Sequence, residues 1–253
     1  MKKRLDLNSD MGEGYGNYTL GNPEGTMKHL TSCNIACGYH AGDPNHMEET
    51  IALADKYDVT VGAHPGNPDK LAFGRRYMDH NPDEVTNYII YQVGALQAFA
   101  DKVGCDIVSG KPHGAMYLWG IESKENAEAI VDGFAEVLPE MVFNLPALDT
   151  PLAEACTERG FDVVGEFYPQ LVYDAEGRVG VDRLGGEGDP DVCAERVVEF
   201  IVEEETTAAD GSKIDLSDRE VVCIHGDLPN ADEIARAIRE AVEEHDVEIE
   251  SAM

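Results

Sequence analysis

The sequence predicts an α/β fold built from parallel βαβ units. Short apolar runs alternate with helical stretches along the whole chain, their connectors are short, and several runs end in polar loops of one kind. Taken in order, Arg4–Asn8 reads as a strand and Glu24–Ser32 as a helix. Asn34–Cys37 is strand-like, and a helix from Pro44 to Tyr57 follows, with apolar residues at Met47, Ile51, Leu53 and Ala54. Val59–Ala63 is a strand bounded by Gly and Pro. The helix Pro82–Val103 carries Val85, Ile89, Val93, Leu96 and Ala100 at spacings of three and four, and opens on a helix-favouring Asn-Pro-Asp-Glu sequence. Ile107–Pro112 reads as a strand, Lys124–Leu138 as a helix, Met141–Leu145 as a strand and Pro151–Arg159 as a helix. Val163–Phe167, Val192–Glu203 and Val221–Ile224 continue as strand, helix and strand, and an acidic helix covers Ala231–His245. Such units close into a barrel or open as a doubly wound sheet. No repeat, low-complexity linker or domain boundary interrupts them, and barrels commonly reach about 200–250 residues as one unit. Residues 1–253 therefore read as a single catalytic domain.

Charge narrows the function classes. The formal net charge is −31, with 43% hydrophobic residues. A polyanion of this size repels phosphate backbones and anionic lipid heads, so no nucleic acid and no membrane surface is expected as a partner. The apolar runs argue against disorder. Acids exceed bases 29 to 14 over residues 1–186 and 21 to 5 over residues 187–253, and only 9 residues are Lys. Acidity spread in this way suits a surface kept in concentrated salt, where screening suppresses self-repulsion, and points to a cytoplasmic protein of a salt-loving microbe. An acidic mesophilic protein is the plain alternative. The unfolding temperature is expected to be higher in molar KCl than in dilute buffer, and equal values would reject the halophilic reading. No apolar stretch approaches the roughly 20 residues of a membrane span. The basic opening Met1-Lys2-Lys3-Arg4 leads straight into Asp6, Asn8 and Asp10 rather than into the apolar core of a signal peptide. The six Cys, at 33, 37, 105, 156, 193 and 223, form no CxxC pair and fit buried thiols in a reducing cytoplasm.

The polar residues gather where strands end. Asn8 to Glu13, Cys37 to Asp43, Gly62 to Gly66, Lys111 to Gly114 and Ile224 to Asp227 each follow an apolar run. In parallel βα architectures the C-terminal strand ends share one face, where catalytic residues collect. This brings His40, His64, His113 and His225 around Asp10 and Glu13. A single His beside Gly and Pro is often a turn residue, but four of the chain's 8 His at strand ends are harder to explain so. Asp10-x-x-Glu13 has the spacing of a capping box, yet Gly12, Gly14 and Gly16 disfavour a helix there and suggest a loop approached closely by another group. Neither GxGxxG nor a Gly-Lys-Ser/Thr loop is present, so no nucleotide bound by this chain alone is indicated. Arg75 and Arg76 offer planar donor forks suited to a carboxylate, with a surface ion pair as the plainer role. Lys111, between Gly110 and Pro112, is a candidate electrostatic clamp. Two chemistries fit: a divalent metal held by Asp10 with two or three His, or metal-free general acid–base work on an amide or lactam. The spacing does not decide between them.

At these same residues the sequence resembles the LamB/YcsF family, whose bacterial members are the A-type subunit of 5-oxoprolinase. Leu7-Asn8-Ser9-Asp10-Met11-Gly12-Glu13 is similar to the family's opening motif, and Asn34 to Pro44 matches its longest signature. Gly62 to Gly66, Phe73 to Arg76, Tyr91-Gln92, Lys111 to Ala115 and His225 to Asp227 follow in the family's order. The resemblance implies a distorted (β/α) barrel similar to the glycoside hydrolase/deacetylase superfamily. It also implies ATP-dependent opening of the lactam 5-oxoproline to L-glutamate with partner subunits B and C, through which ATP is handled. On this reading Asp10, Glu13, His40, His64 and His113 are catalytic, and Arg75, Arg76, Lys111, Asp43, Glu166 and His225 bind substrate. The chain departs from the family where members read Glu-x-Phe-Ala-Asp-Arg-x-Tyr: it has Glu166-Phe167-Tyr168-Pro169-Gln170-Leu171-Val172-Tyr173, without the Asp-Arg pair. The Asn that often follows Lys-Pro-His-Gly-Ala-x-Tyr is replaced around Leu118–Trp119, and Asn67 stands for the aromatic after His-Pro-Gly. A related lactam is a second substrate candidate. The alternative readings are a metal-dependent deacetylase and a non-catalytic subunit.

Overall fold

The computed structural model describes residues 2–179 and 187–253; Met1 of the basic opening run lies outside them. The chain begins β1 (Arg4–Met11), α1 (Pro23–Met27), β2 (Ser32–Ala36), α2 (Pro44–Tyr57), β3 (Thr60–His64), α3 (Pro82–Val103) and β4 (Ile107–Gly110). It continues α4 (Gly114–Gly120), α5 (Lys124–Ala135), β5 (Val142–Leu145), α6 (Pro151–Arg159), β6 (Asp162–Phe167) and α7 (Pro190–Glu203). A hairpin of β7 (Glu205–Thr207) and β8 (Lys213–Asp215) leads to β9 (Arg219–His225), α8 (Ala231–Glu243) and β10 (Glu248–Ile249). Strands β1 to β6 and β9 run parallel in that order, and β9 pairs back onto β1, so the sheet closes as a seven-stranded barrel rather than an open doubly wound one. The short β10 extends the start of β1.

Helix starts follow directly from sequence. Asp43 accepts from the amides of Asn45 and His46, Asn81 from that of Asp83, and Thr150 from that of Ala153, each followed by Pro at the first helical position, where a missing N–H costs nothing. The buried stripe of α3, Val85, Ile89, Gln92, Val93, Leu96 and Ala100, keeps the helical period and lies against the sheet. Outward-facing strand residues meet the helices in two clusters. One joins Cys33, Ile35, Val61 and Phe143 to α2 through α6, and the other joins Leu5, Leu7, Val222 and Ile224 to α7 and α8.

The barrel interior is polar. Because strand side chains alternate, Asp6, Asn8 and Asp10 face inward between Leu5, Leu7 and Met11. Ser32 Oγ donates to Asp6 Oδ1 at 2.8 Å, Asn8 Nδ2 to Ser32 Oγ at 2.7 Å, and Asn34 Nδ2 to Asn8 Oδ1 at 2.6 Å. Asn144 on β5 reaches Asn34 on β2 at 3.5 Å, a contact between non-adjacent strands that crosses the lumen. One register row runs His225, Asp10, Asn34, Gly62, Ser109 around the wall. A Cβ on Gly62 would lie 2.3 Å from Ser109 Oγ, so the lumen is filled to contact and admits only glycine there. Burying Asn8, Ser32 and Asn34 is tolerable because their side chains are paired within this network.

Three sequence expectations are corrected. The helix expected over Glu24–Ser32 ends at Met27, and Ser32 instead begins β2, where its hydroxyl is drawn inward by Asp6 and Asn8. The helix begun at Lys124 ends at Ala135, before Leu138. After β4 a further helix, α4, starts at Gly114 and was not indicated by its short, aromatic-rich sequence. No helix among the described residues is long and apolar enough to cross a membrane, and all six Cys are free thiols.

Candidate active site

The C-terminal strand ends surround a pocket of about 90 Å³. Asp10 near the end of β1 and Lys111 just after β4 form its floor, and His64, His113, His225 and Arg75 are on its wall. Tyr117 and Leu118 from α4, with Tyr168 and Leu171, make the opposite side apolar.

The floor is an ion group. Lys111 Nζ lies 2.8 Å from Asp10 Oδ1 and 3.1 Å from Glu166 Oε2, all three side chains being almost fully buried. Tyr168 donates its hydroxyl to the same Glu166 oxygen at 2.6 Å, and Asn34 Nδ2 donates to Asp10 Oδ1 at 2.9 Å. Burial alone would raise Asp10, but the facing imidazoles of His64 and His225 and the Lys111 ammonium outweigh it and hold the carboxyl well below its usual range. Burial would likewise lower Lys111, yet Asp10, Cys223 and Glu166 keep it above an ordinary lysine. Glu166 itself is raised by burial, with the Lys111 charge opposing. The floor thus presents an ammonium flanked by one firmly ionised carboxylate and a second that is less so.

Beside it stands a nearly uncharged cluster. His64 Nε2 is 3.5 Å from Asp10 and 3.0 Å from His113 Nδ1, and His40 Nε2 is 3.1 Å from Glu13 Oε1. The His40 and His113 rings stack at 3.8 Å, 3° from parallel. Burial pushes His64 down to about 3 and lowers His40 and His113 well below the usual imidazole range. Burial, with the charges of Asp227 and Asp10, raises Glu13 well above an ordinary carboxyl. Ligand atoms of Glu13, His40, His64 and His113 lie within 4.8 Å of one another, a spacing that suits one metal ion. The loop carrying His64 is clamped by Gln92 of α3, which accepts from the Gly66 amide and donates to its carbonyl, both at 3.0 Å. Gly74, at φ +65°, packs where a Cβ would stand 2.6 Å from His40 Cβ and 2.9 Å from His113 Cδ2. Both features hold the imidazoles in place.

Two expected substrate ligands are elsewhere. Arg76 turns outward, 57% exposed, and its guanidinium pairs with Asp69. Asp43 caps α2 and also accepts from Gly16 N and faces His46 Nδ1, so its oxygens are used structurally. Burial opposes ionisation there, but the amides of Gly16, His46 and Asn45 bring its pKa down to about 2. Arg75 does line the pocket, with Nη2 3.7 Å from Asp227 Oδ2 and the guanidinium over the Phe73 ring. His225 is 3.9 Å from Asp10. The stretch without the Asp-Arg pair places Leu171 on the pocket wall, and Arg196 of α7 donates to the carbonyls of Pro169 and Leu171 at 2.7 Å. Asn34, Tyr168 and Cys223 also reach the floor residues. The first lies inside a recognised motif, and its inward phase two residues after Ser32 is the signal that singles it out.

A profile of the LamB/YcsF family matches residues 5–253. The A-type subunit of 5-oxoprolinase from Pyrococcus horikoshii is 42% identical over 250 residues, 97% of this chain and 96% of that protein. A lactam utilization protein from Thermus thermophilus has a similar crystal structure, with TM-score 0.88 and 36% identity over 98% of this chain and 99% of that one. A GH113 β-1,4-mannanase shares the fold alone, at TM-score 0.51 and 10% identity over 97% of this chain and all of that one. Matched from end to end at such identity, the chain belongs to the LamB/YcsF family.

Proposed function

We propose that this chain is the A-type subunit of an ATP-dependent 5-oxoprolinase, which opens the lactam of 5-oxoproline to L-glutamate together with partner subunits B and C. The observation that carries the reading is that Asp10, Lys111 and Arg75 line one pocket, with Lys111 also paired to the buried Glu166, in a chain 42% identical to a protein named as that subunit. Ring opening adds water across the amide: hydroxyl goes to the carbonyl carbon, the C–N bond breaks, and the ring nitrogen takes a proton. In this reading the Lys111 ammonium stabilises negative charge on the carbonyl oxygen, and Arg75 takes the substrate carboxylate. Asp10, Glu13 and the cluster of His40, His64 and His113 handle water and protons. Glu166 fixes Lys111, and His225 flanks Asp10. A five-membered lactam is little strained, so hydrolysis is poorly driven and needs coupling to ATP. The chain carries no phosphate-binding loop motif, which fits activation through the partners.

The test combines the purified chain with candidate B and C subunits, ATP and 5-oxoproline, and follows glutamate release. Asp10→Ala and His64→Ala, each verified as folded by circular dichroism, are expected to lower the rate by about 10²–10⁴-fold. Release left intact by both would reject catalysis in this pocket.

A further inference from the structure

Two imidazoles of the buried cluster aim acceptor nitrogens at each other. His64 Nδ1 lies 2.8 Å from the carbonyl oxygen of Lys111, and His113 Nε2 lies 2.7 Å from that of Phe73. A carbonyl only accepts, so each of these nitrogens carries its ring's proton, and the other nitrogen of each ring is a bare lone pair. Those two, His64 Nε2 and His113 Nδ1, face one another at 3.0 Å. Between neutral rings this contact is repulsive unless a cation accepts both lone pairs. On a tetrahedral ion with bonds of about 2.0–2.1 Å, two such nitrogens would stand about 3.3 Å apart, close to what is seen.

A third donor is in reach. Glu13 Oε1 lies 3.8 Å from His113 Nδ1, and the whole set is buried. We infer that Glu13, His64 and His113 form a binding site for a divalent transition-metal ion, Zn²⁺ by its donor set, at the place where His64 and His113 line the pocket. Two imidazoles and a carboxylate suit a borderline ion and would fill three of its usual four positions. The surroundings match the way ligating histidines are usually supported, since each donates its remaining N–H to a backbone carbonyl that fixes tautomer and ring plane. His40 is a positioning residue here, stacked on His113 with Nε2 against the Glu13 oxygen. Asp10 lies outside the group whose ligand atoms fall within 4.8 Å of one another: Oδ1 is held by Lys111 and Asn34, and Oδ2 stands between His64 Nε2 at 3.5 Å and His225 Nε2 at 3.9 Å. It also supplies negative charge that offsets Lys111. A proton shared by the two rings is the competing explanation, and it predicts a protein that takes up no ion at these nitrogens.

The ligand atoms carry this site independently of the substrate reading, so it is tested without turnover. Untagged protein purified without chelator is analysed for metal by plasma mass spectrometry, then stripped and titrated with Zn²⁺ by calorimetry. One ion per chain is expected, with a rise in unfolding temperature on adding Zn²⁺. His64→Ala and the near-isosteric Glu13→Gln are each expected to weaken binding by about 100-fold or more and to remove the thermal shift. No stoichiometric ion in the native protein and no uptake by the stripped protein would overturn the site and favour the shared proton. Equal affinity in Glu13→Gln, which keeps both imidazoles, would overturn the ligand set even if His64→Ala fails to fold.

Discussion

Replacing Lys111 with methionine is expected to lower the unfolding free energy by about 3–5 kcal/mol and to abolish glutamate release. The side chain is 3% exposed, and its ammonium serves Asp10 at 2.8 Å and Glu166 at 3.1 Å. Methionine fills the same unbranched volume, so the loss isolates charge from packing. Two buried carboxylates then share one enclosure without a cation.

The pH dependence has a definite sign. In the native protein burial would raise Asp10, but His64, Lys111 and His225 depress it, so its ionised form contributes stability above the unfolded carboxyl pKa of about 4 and loses it as pH falls. Without Lys111 both carboxyls shift up, and the folded variant binds more protons than its unfolded chain. The deficit relative to wild type should therefore shrink as pH falls from about 7 to about 4. Adding Glu166→Gln removes one of the two stranded charges and is expected to recover about 0.5–3 kcal/mol as a coupling energy. Urea unfolding of the single and double variants over this pH range measures both effects. A deficit below about 1 kcal/mol, or one flat with pH, would mean that the ion group is not what holds the floor together.

The elements that sequence predicts best are those with several independent signals. The bounds of α2, α3 and α6 are legible because an N-cap, a Pro at the first turn and an apolar stripe agree. The Glu24–Ser32 expectation failed because nine residues of mixed polarity carry no stripe, and long-range bonds to Asp6 and Asn8 decide Ser32. At the site, the strand-end loops announce Asp10, His64 and His113 through topology, since parallel strands must deliver their C-terminal ends to one face. The same logic cannot tell Arg75 from Arg76: adjacent residues diverge, and only the positive-φ turn at Phe73 and Gly74 sends one inward and the other to Asp69. Asp43 misled for a similar reason, because a cap and a ligand are the same residue type in the same kind of loop. The polar lumen was written in plain alternation, Asp6, Asn8, Asp10, then Ser32 and Asn34, and reads as interior only once the sheet is known to close.

That lumen sets the largest remaining expectation. Asn34→Asp should destabilise the protein by about 3 kcal/mol at neutral pH, equivalent to a shift of about two pKa units at the new pair. Asn34 Nδ2 donates to Asn8 Oδ1 at 2.6 Å and to Asp10 Oδ1 at 2.9 Å, while its Oδ1 accepts from Asn144. Aspartate keeps the shape but replaces the donor with an acceptor, and Asn8 cannot turn to help without giving up its own bond to Ser32. Two carboxylates so close cannot both ionise, so the pair holds one proton in the folded protein. Lys111 remains on Asp10, which places that proton on residue 34. The unfolded chain has released both protons above about pH 4, so the deficit must grow as pH rises toward 7. Asn34→Leu provides the contrast: it removes the same two donated bonds, at about 1–3 kcal/mol, without adding charge, and its deficit should vary with pH far less. Urea midpoints of the two variants across this range decide the matter. If their deficits run parallel, residues 34 and 10 do not share a proton, and the lumen is not coupled to the charge at the pocket floor.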